Sequence, residues 1–265
     1  MNPRFSLVIV AALLVAGALY LLFPQPATIT PEAPPPPSAP APEPQATPAE
    51  SDEFFILAVS WQPAFCETAP GKPECRSQTA DRFDASHFTL HGLWPRDEYC
   101  GVSAGDEATD RDGRWSALPA LDLPPALRRD LDTKMPGTRS QLDRHEWTKH
   151  GTCFPGDAEA YFAAALALLD QLNASPVRDL FAGSIGERLT QRQVRAAFDI
   201  AFGRGAGDRV RIACDDDGDR TLVSELTLGL WGTIGRKPDL AALLDAANPT
   251  RGGCDGGLVD PVGLQ

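Results

Sequence analysis

The chain has 265 residues, of which 43% are hydrophobic, and a formal net charge of −12 at pH 7. This length is enough for one sizeable folded domain with accessory segments. The acidic balance argues against a protein that holds nucleic acid tightly on a broad basic face. It remains compatible with an enzyme that needs positive charge only inside its cleft.

The first segment of the chain is predicted to meet a membrane. Residues 5–23 form an apolar run that would make a helix of about 28 Å, close to the thickness of a bilayer core. Arg4 precedes the run and the next basic residue is Lys72, so the domain is expected outside the cytoplasm. The run is either a cleaved signal peptide or a permanent anchor. Its apolar residues continue past the Ala-Gly-Ala at positions 16–18, which favours the anchor.

A proline-rich spacer follows this segment. Residues 24–50 contain eleven prolines, which are incompatible with a helix or a sheet and predict an extended linker. We therefore divide the chain into a signal peptide or anchor at 1–23, a linker at 24–50 and a folded domain at 51–265.

All the cysteines lie in the folded domain, at Cys66, Cys75, Cys100, Cys153, Cys214 and Cys254. An even number in an exported chain predicts disulfides. Zinc ligation is the alternative, but the sequence contains no C-x-x-C pair. Spacing alone favours only the bridge between Cys66 and Cys75, as a local loop closure, and leaves the other pairings open.

The first half of the domain predicts a strand at 54–61 and a short strand at 86–90 that leads into His91. Residues 96–119, rich in turn formers, are expected to form a long surface loop. Pro124-Pro125 can open a helix that runs to Lys134. A second helix is expected around 141–150.

The second half predicts a helix at 159–173, from its apolar periodicity. Thr190 and Gln193 form a capping box for a helix that reaches about Phe202. Strands are expected at 209–214 and 221–230, with residues 215–219 as the turn between them. Helices and strands mix without a regular βαβ rhythm, which predicts an α+β fold around a central antiparallel sheet.

The four histidines fall in two segments, at positions 87, 91, 145 and 150. On a helix, His145, Lys149, Glu146 and His150 lie at roughly 0°, 40°, 100° and 140°, so they share one face. Such a face is often only solvated. The same set can also cleave a phosphodiester, because two imidazoles can serve as acid and base while a lysine stabilises the charge on phosphorus.

A zinc site of the H-E-x-x-H type is a further alternative for this segment. It requires a histidine at the position of Lys149, where the chain has a cation instead. We therefore expect no metal at the site.

The chain contains Phe-Thr-Leu-His-Gly-Leu-Trp-Pro at 88–95 and His-Glu-x-x-Lys-His-Gly-Thr-Cys at 145–153. Read together, these two motifs resemble the active-site segments of the ribonuclease T(2) family, and in particular its bacterial periplasmic branch. The segment Leu-Ala-Val-Ser-Trp-Gln-Pro at 57–63 is similar to the first core strand of that family. The resemblance runs from about Phe54 to the C-terminus.

The resemblance implies a role for each matching residue. His91 would be the general acid toward the 5′-oxygen, and His150 the general base on the 2′-hydroxyl. Glu146 and Lys149 would support the pentacovalent transition state. His145 would bind phosphate, and Trp94 would pack beside a substrate base unless it is simply a core residue. His87 has no counterpart in the family's motif.

The resemblance also implies a disulfide-stapled α+β core with the bridges Cys66–Cys75, Cys100–Cys153 and Cys214–Cys254. The expected activity is cleavage of single-stranded RNA, not DNA, through 2′,3′-cyclic phosphates, by a monomer that needs no cofactor. The expected location is periplasmic or extracellular, with a possible tether to the cytoplasmic membrane. The competing functions are a metal-dependent hydrolase and a non-catalytic binding protein of the envelope.

Overall fold

A computed structural model describes residues 53–265, so the predictions for 1–23 and 24–50 lie outside the described residues. One sheet has the order β2-β1-β5-β6-β3, and β4 pairs with β5. The pairs are antiparallel except for β5 with β6. The strands are β1 (Glu53–Ser60), β2 (Thr89–Pro95), β3 (Arg188–Thr190), β4 (Val210–Asp217), β5 (Arg220–Gly232) and β6 (Gly256–Leu258). The predicted α+β class is confirmed, with one parallel pair in the sheet.

The helices in the described part of the chain flank this sheet. They are α1 (Gln62–Thr68), α2 (Pro73–Arg76), α3 (Ala104–Arg111), α4 (Pro125–Lys134), α5 (Leu142–Lys149), α6 (Ala158–Asn173), α7 (Pro176–Gly183), α8 (Gln191–Phe202) and α9 (Leu240–Ala246). The predicted α4, α5, α6 and α8 are present. The capping box at the start of α8 has both of its hydrogen bonds, between Thr190 and Gln193.

The core lies between the sheet and α6, whose buried face covers β1 and β2. The start of β2 is fixed by the buried side chain of Asn173, at the end of α6. Its amide accepts from the backbone N–H of Phe88 and donates to the carbonyl of the same residue, both at 2.9 Å. Because both polar groups of Phe88 are satisfied by a helix side chain, β2 enters the sheet in one register.

Three sequence predictions need correction. The short strand expected at 86–90 is instead β2 at Thr89–Pro95, because β1 offers partners as far along as Pro95. The surface loop expected at 96–119 contains helix α3. Its first turn is capped by Ser103, which accepts from the N–H of Asp106, and carries acidic residues that favour a helix start.

The turn predicted at residues 215–219 is shorter than expected. Strand β4 continues to Asp217 and β5 begins at Arg220, so Gly218 and Asp219 make the turn, with a φ of 61° at Gly218.

Three disulfides link Cys66 to Cys75, Cys100 to Cys153, and Cys214 to Cys254. These pairs agree with those that the resemblance implies. The bridge between Cys100 and Cys153 ties the segment after β2 to the segment after α5. Among residues 53–265, no helix is long and apolar enough to cross a bilayer.

Candidate active site

His91 projects from a β-bulge in β2. Val59 of β1 faces Leu90 and Ala58 faces Gly92, so His91 is the extra residue between them. A bulge changes the direction of the side chain that it carries. The imidazole reaches β5, where its Nδ1 lies 2.6 Å from Oε2 of Glu225, and its side chain remains about one third exposed at 35%.

Glu146 is the buried centre of the cluster. Its side chain is 1% exposed, and its Oε2 accepts from Nε1 of Trp94 at 2.8 Å. Its Oε1 lies 3.6 Å from Nε2 of His91 and 3.9 Å from Nε2 of His145. The backbone of Gly92 leaves no room for a side chain here, because a Cβ would overlap the Glu146 carboxylate.

His145 is held from its far side by α3. Its Nδ1 lies 2.8 Å from Oδ1 of Asp110, a buried carboxylate that also accepts from the hydroxyl of Tyr99 at 2.9 Å. The ring of Trp115 stacks on the imidazole, with centroids 4.5 Å apart and an angle of 18° between the planes. The segment that follows β2, with Asp110 on α3 and Trp115 beyond it, therefore sets the orientation of His145.

His150 lies at the end of α5, where the helix stops. It is 6% exposed, and its Nδ1 is buried without a hydrogen-bond partner among the described residues. Its ring lies 5.4 Å from that of Trp94 and 6.4 Å from that of His145. Lys149, the residue before it, keeps 29% of its side chain exposed and places Nζ 3.4 Å from Glu98.

The two imidazoles nearest to Trp94 differ in their charge preference. Burial disfavours the charged form of His91, but the hydrogen bond to Glu225 and the charges of Glu146 and Glu225 outweigh it and raise the pKa of His91. Burial, together with the positive charges of Lys149, His145 and His91, lowers the pKa of His150 to about 3. Burial also raises the pKa of Glu146, against the opposing effect of nearby cations.

A cavity of about 370 Å³ opens beside His91 and Glu225. Its wall includes Lys72 from the segment between α1 and α2, Trp115, and Gln62 at the start of α1. Within residues 53–265, no three acidic, histidine or cysteine side chains are arranged to hold a metal ion.

The residues proposed from sequence are brought together by the fold: His91, Trp94, His145, Glu146, Lys149 and His150. Trp94 bonds to Glu146 and contacts the imidazoles of His91 and His150. His87 is elsewhere, stacked on Phe83 and bonded to its carbonyl.

Sequence reasoning missed the partners of the histidines, namely Glu225, Asp110 and Trp115. Only Glu225 had a sequence signal, as a lone carboxylate in the apolar stretch of β5. Asp110 lies among many acidic residues of a segment that was predicted to be a loop.

A family model described as the Ribonuclease T2 family matches residues 52–238. Ribonuclease I of Escherichia coli is 28% identical over 224 residues, which cover 76% of this chain and 82% of that protein. Extracellular ribonuclease LE of Solanum lycopersicum is 28% identical, over 47% of this chain and 54% of that protein. The crystal structure of the self-incompatibility-associated SF11-RNase of Nicotiana alata superposes with a TM-score of 0.50 at 17% identity. That match covers 79% of this chain and all of the other, and it supports the same fold.

The difference in pKa between His91 and His150 is testable by NMR. In Glu225→Gln the amide replaces the carboxylate that favours the charged ring, so the pKa of His91 should fall. His150 should stay neutral through the pH range 5 to 8 in both proteins, given its pKa of about 3. His87 lies outside the cluster and serves as the internal reference. A pKa of His91 that is unchanged in the variant would show that Glu225 does not set it.

Proposed function

The chain belongs to the ribonuclease T2 family and is an endoribonuclease, and on this premise we propose that it cleaves single-stranded RNA by transesterification without a metal. The 2′-hydroxyl attacks the neighbouring phosphorus and the 5′-oxygen leaves, which gives a 2′,3′-cyclic phosphate. The observation that carries this proposal is the pair of imidazoles with opposite charge preference in one cluster. Such a pair can supply a base and an acid at the same pH.

His150 is the proposed general base. A base must be neutral before the reaction, and the lowered pKa of this buried ring keeps it so. A base with a pKa this low is a weak proton acceptor. The approach of an anionic phosphate should raise its proton affinity, because the phosphate offsets the charge of Lys149 and the other imidazoles.

His91 is the proposed general acid toward the 5′-oxygen. Its hydrogen bond to Glu225 and the nearby charge of Glu146 favour the imidazolium. One third of the side chain is exposed, so a substrate oxygen can reach it. After the leaving group takes the proton, Glu225 continues to fix the orientation of the neutral ring.

The remaining residues act on the phosphate and the base. Lys149 and Glu146 would support the pentacovalent transition state, and preorganised charge of this kind is a large term in catalysis. His145, held by Asp110, would bind a phosphate oxygen through Nε2. Trp94 contacts Glu146 and two imidazoles. The ring face that these contacts leave open would pack beside a substrate base.

We also propose that the enzyme works outside the cytoplasm, in the periplasm or the medium. Three disulfides form readily only in an oxidising compartment, and one relative is named as an extracellular ribonuclease. The apolar run at residues 5–23 would remain as a helical tether to the cytoplasmic membrane, with the spacer at 24–50 holding the cleft clear of lipid.

The products test the mechanism. RNA incubated with the enzyme in EDTA should yield 2′,3′-cyclic phosphate ends and 5′-hydroxyl ends, because the nucleophile belongs to the substrate. DNA of the same sequence should stay intact, since it lacks the 2′-hydroxyl. Mass spectrometry of the fragments identifies both ends. Products with 5′-phosphates, or cleavage of DNA, would contradict the proposal.

Substitutions test the assigned roles. His91→Ala and His150→Ala should each lower kcat by about 10²- to 10⁴-fold, the usual contribution of a general acid or base. The double variant should be little worse than either single one, because the two groups act together. Glu146→Gln and Lys149→Ala should lower kcat by a smaller factor. His145→Ala should raise KM as well as lower kcat. His87→Ala is the matched control and should keep full activity. A fully active, folded His150→Ala enzyme would refute its role as the base.

The location is tested by fractionation and mass spectrometry of the mature amino terminus. A tethered enzyme should sediment with membranes and retain residues 5–23. A soluble protein that begins near Thr28 or later would show that the run is a cleaved signal peptide. The assignment of the catalytic residues does not depend on this result.

A further inference from the structure

Lys72 lies at the cleft, in a short loop that is closed by a disulfide. It lies between α1 and α2, inside the loop formed by the bridge of Cys66 to Cys75. Its side chain lines the same cavity as His91 and Glu225. Its Nζ lies 5.5 Å from the centroid of the Trp115 ring.

The charge of Lys72 is available to a ligand. Within residues 53–265 its ammonium forms no ion pair, although the chain as a whole is acidic. The carboxylate two positions away, Glu74, is 2% exposed and accepts from the hydroxyl of Ser140. The carboxylate of Glu225 is hydrogen-bonded to His91. Asp215 also lines the cavity, from β4, but forms no ion pair with Lys72.

The ammonium of Lys72 lies over the ring of Trp115. The indole is stacked on His145, which Asp110 fixes in turn, so the ring is a rigid support. A cation over an aromatic face is attracted to it only modestly when exposed to water. A phosphate that approaches the ammonium can therefore bind it without breaking a strong internal ion pair.

We propose that Lys72 binds the phosphate of RNA adjacent to the one that is cleaved. This inference rests on the proposed function, which places the scissile phosphate among His91, His145 and His150. Lys72 lies on the cavity side of His91, so a strand that places one phosphate at the imidazoles and a nucleoside in the cavity brings its next phosphate to Lys72. The residue is a binding residue for the substrate strand and takes no part in the chemical step.

Binding is measured first, with an oligoribonucleotide whose 2′-hydroxyls are methylated so that it cannot be cleaved. Fluorescence anisotropy at several salt concentrations gives the slope of log K against log salt for the wild type and Lys72→Gln. One phosphate contact fewer should reduce the magnitude of the slope by about 0.7, the value for single strands. Lys72→Arg should restore it. Lys237→Gln removes an exposed lysine that does not line the cavity, and should leave the slope unchanged. An unchanged slope in Lys72→Gln overturns the proposal.

Kinetics then separate the adjacent phosphate from the scissile one. A dinucleoside monophosphate has only the scissile phosphate, so Lys72→Gln should raise the KM for it much less than the KM for a longer oligonucleotide. On a longer oligonucleotide the same variant should show a raised KM at unchanged kcat. Equal losses on both substrates would mean that Lys72 acts at the scissile phosphate or on folding, and would overturn the proposal. Failure of the proposed mechanism would appear separately, as wild-type products without cyclic phosphate ends.

Discussion

The buried carboxylate of Glu146 joins the two segments on which the site is built. It belongs to α5, but its hydrogen bond goes to Trp94 on β2, and its other oxygen faces His91 on the same strand. A carboxylate buried this deeply destabilises the fold by several kcal/mol unless its partners compensate. The strand and the helix therefore have one low-energy arrangement. Gly92 is part of this constraint, because any larger residue would displace the carboxylate.

Because of this junction, His91 and His150 lie in different charge environments. His91 projects from its bulge toward β5 and meets Glu225, whereas His150 lies buried at the end of α5 and pairs with no carboxylate among residues 53–265. The same two rings in a helix or on a surface would titrate alike, near the ordinary pKa of histidine. The sheet supplies a carboxylate to one ring, and the helix end buries the other. The difference in charge preference is thus a property of the fold.

The parts of this structure that could be predicted from sequence depend on local signals. The capping box at Thr190, the proline start of α4 and the apolar run of β1 involve neighbours along the chain. The helical spacing of residues 145–150 correctly grouped His145, Glu146 and His150. It could not tell that Glu146 would be buried while Lys149 stayed partly exposed beside Glu98. Glu225 is 134 residues from His91 and Asp110 is 35 residues from His145. Such pairs are set by strand order and helix packing, which spacing does not encode.

The acidity of the chain, which argues against a broad basic face for nucleic acid, is compatible with RNA cleavage because of where its basic groups lie. Many arginines are committed to internal carboxylates, such as Arg82 to Asp84, Arg128 to Asp143 and Arg220 to Asp260. At the cleft, Lys149 lies next to His150 in the chain and Lys72 lines the same cavity as His91. Charges farther than a Debye length of about 8 Å are largely screened at physiological salt, so the acidic surface does not prevent RNA from binding there. The acidic surface instead confines the attraction for RNA to the cleft. Cleaved fragments can therefore dissociate, and the enzyme can bind the next site.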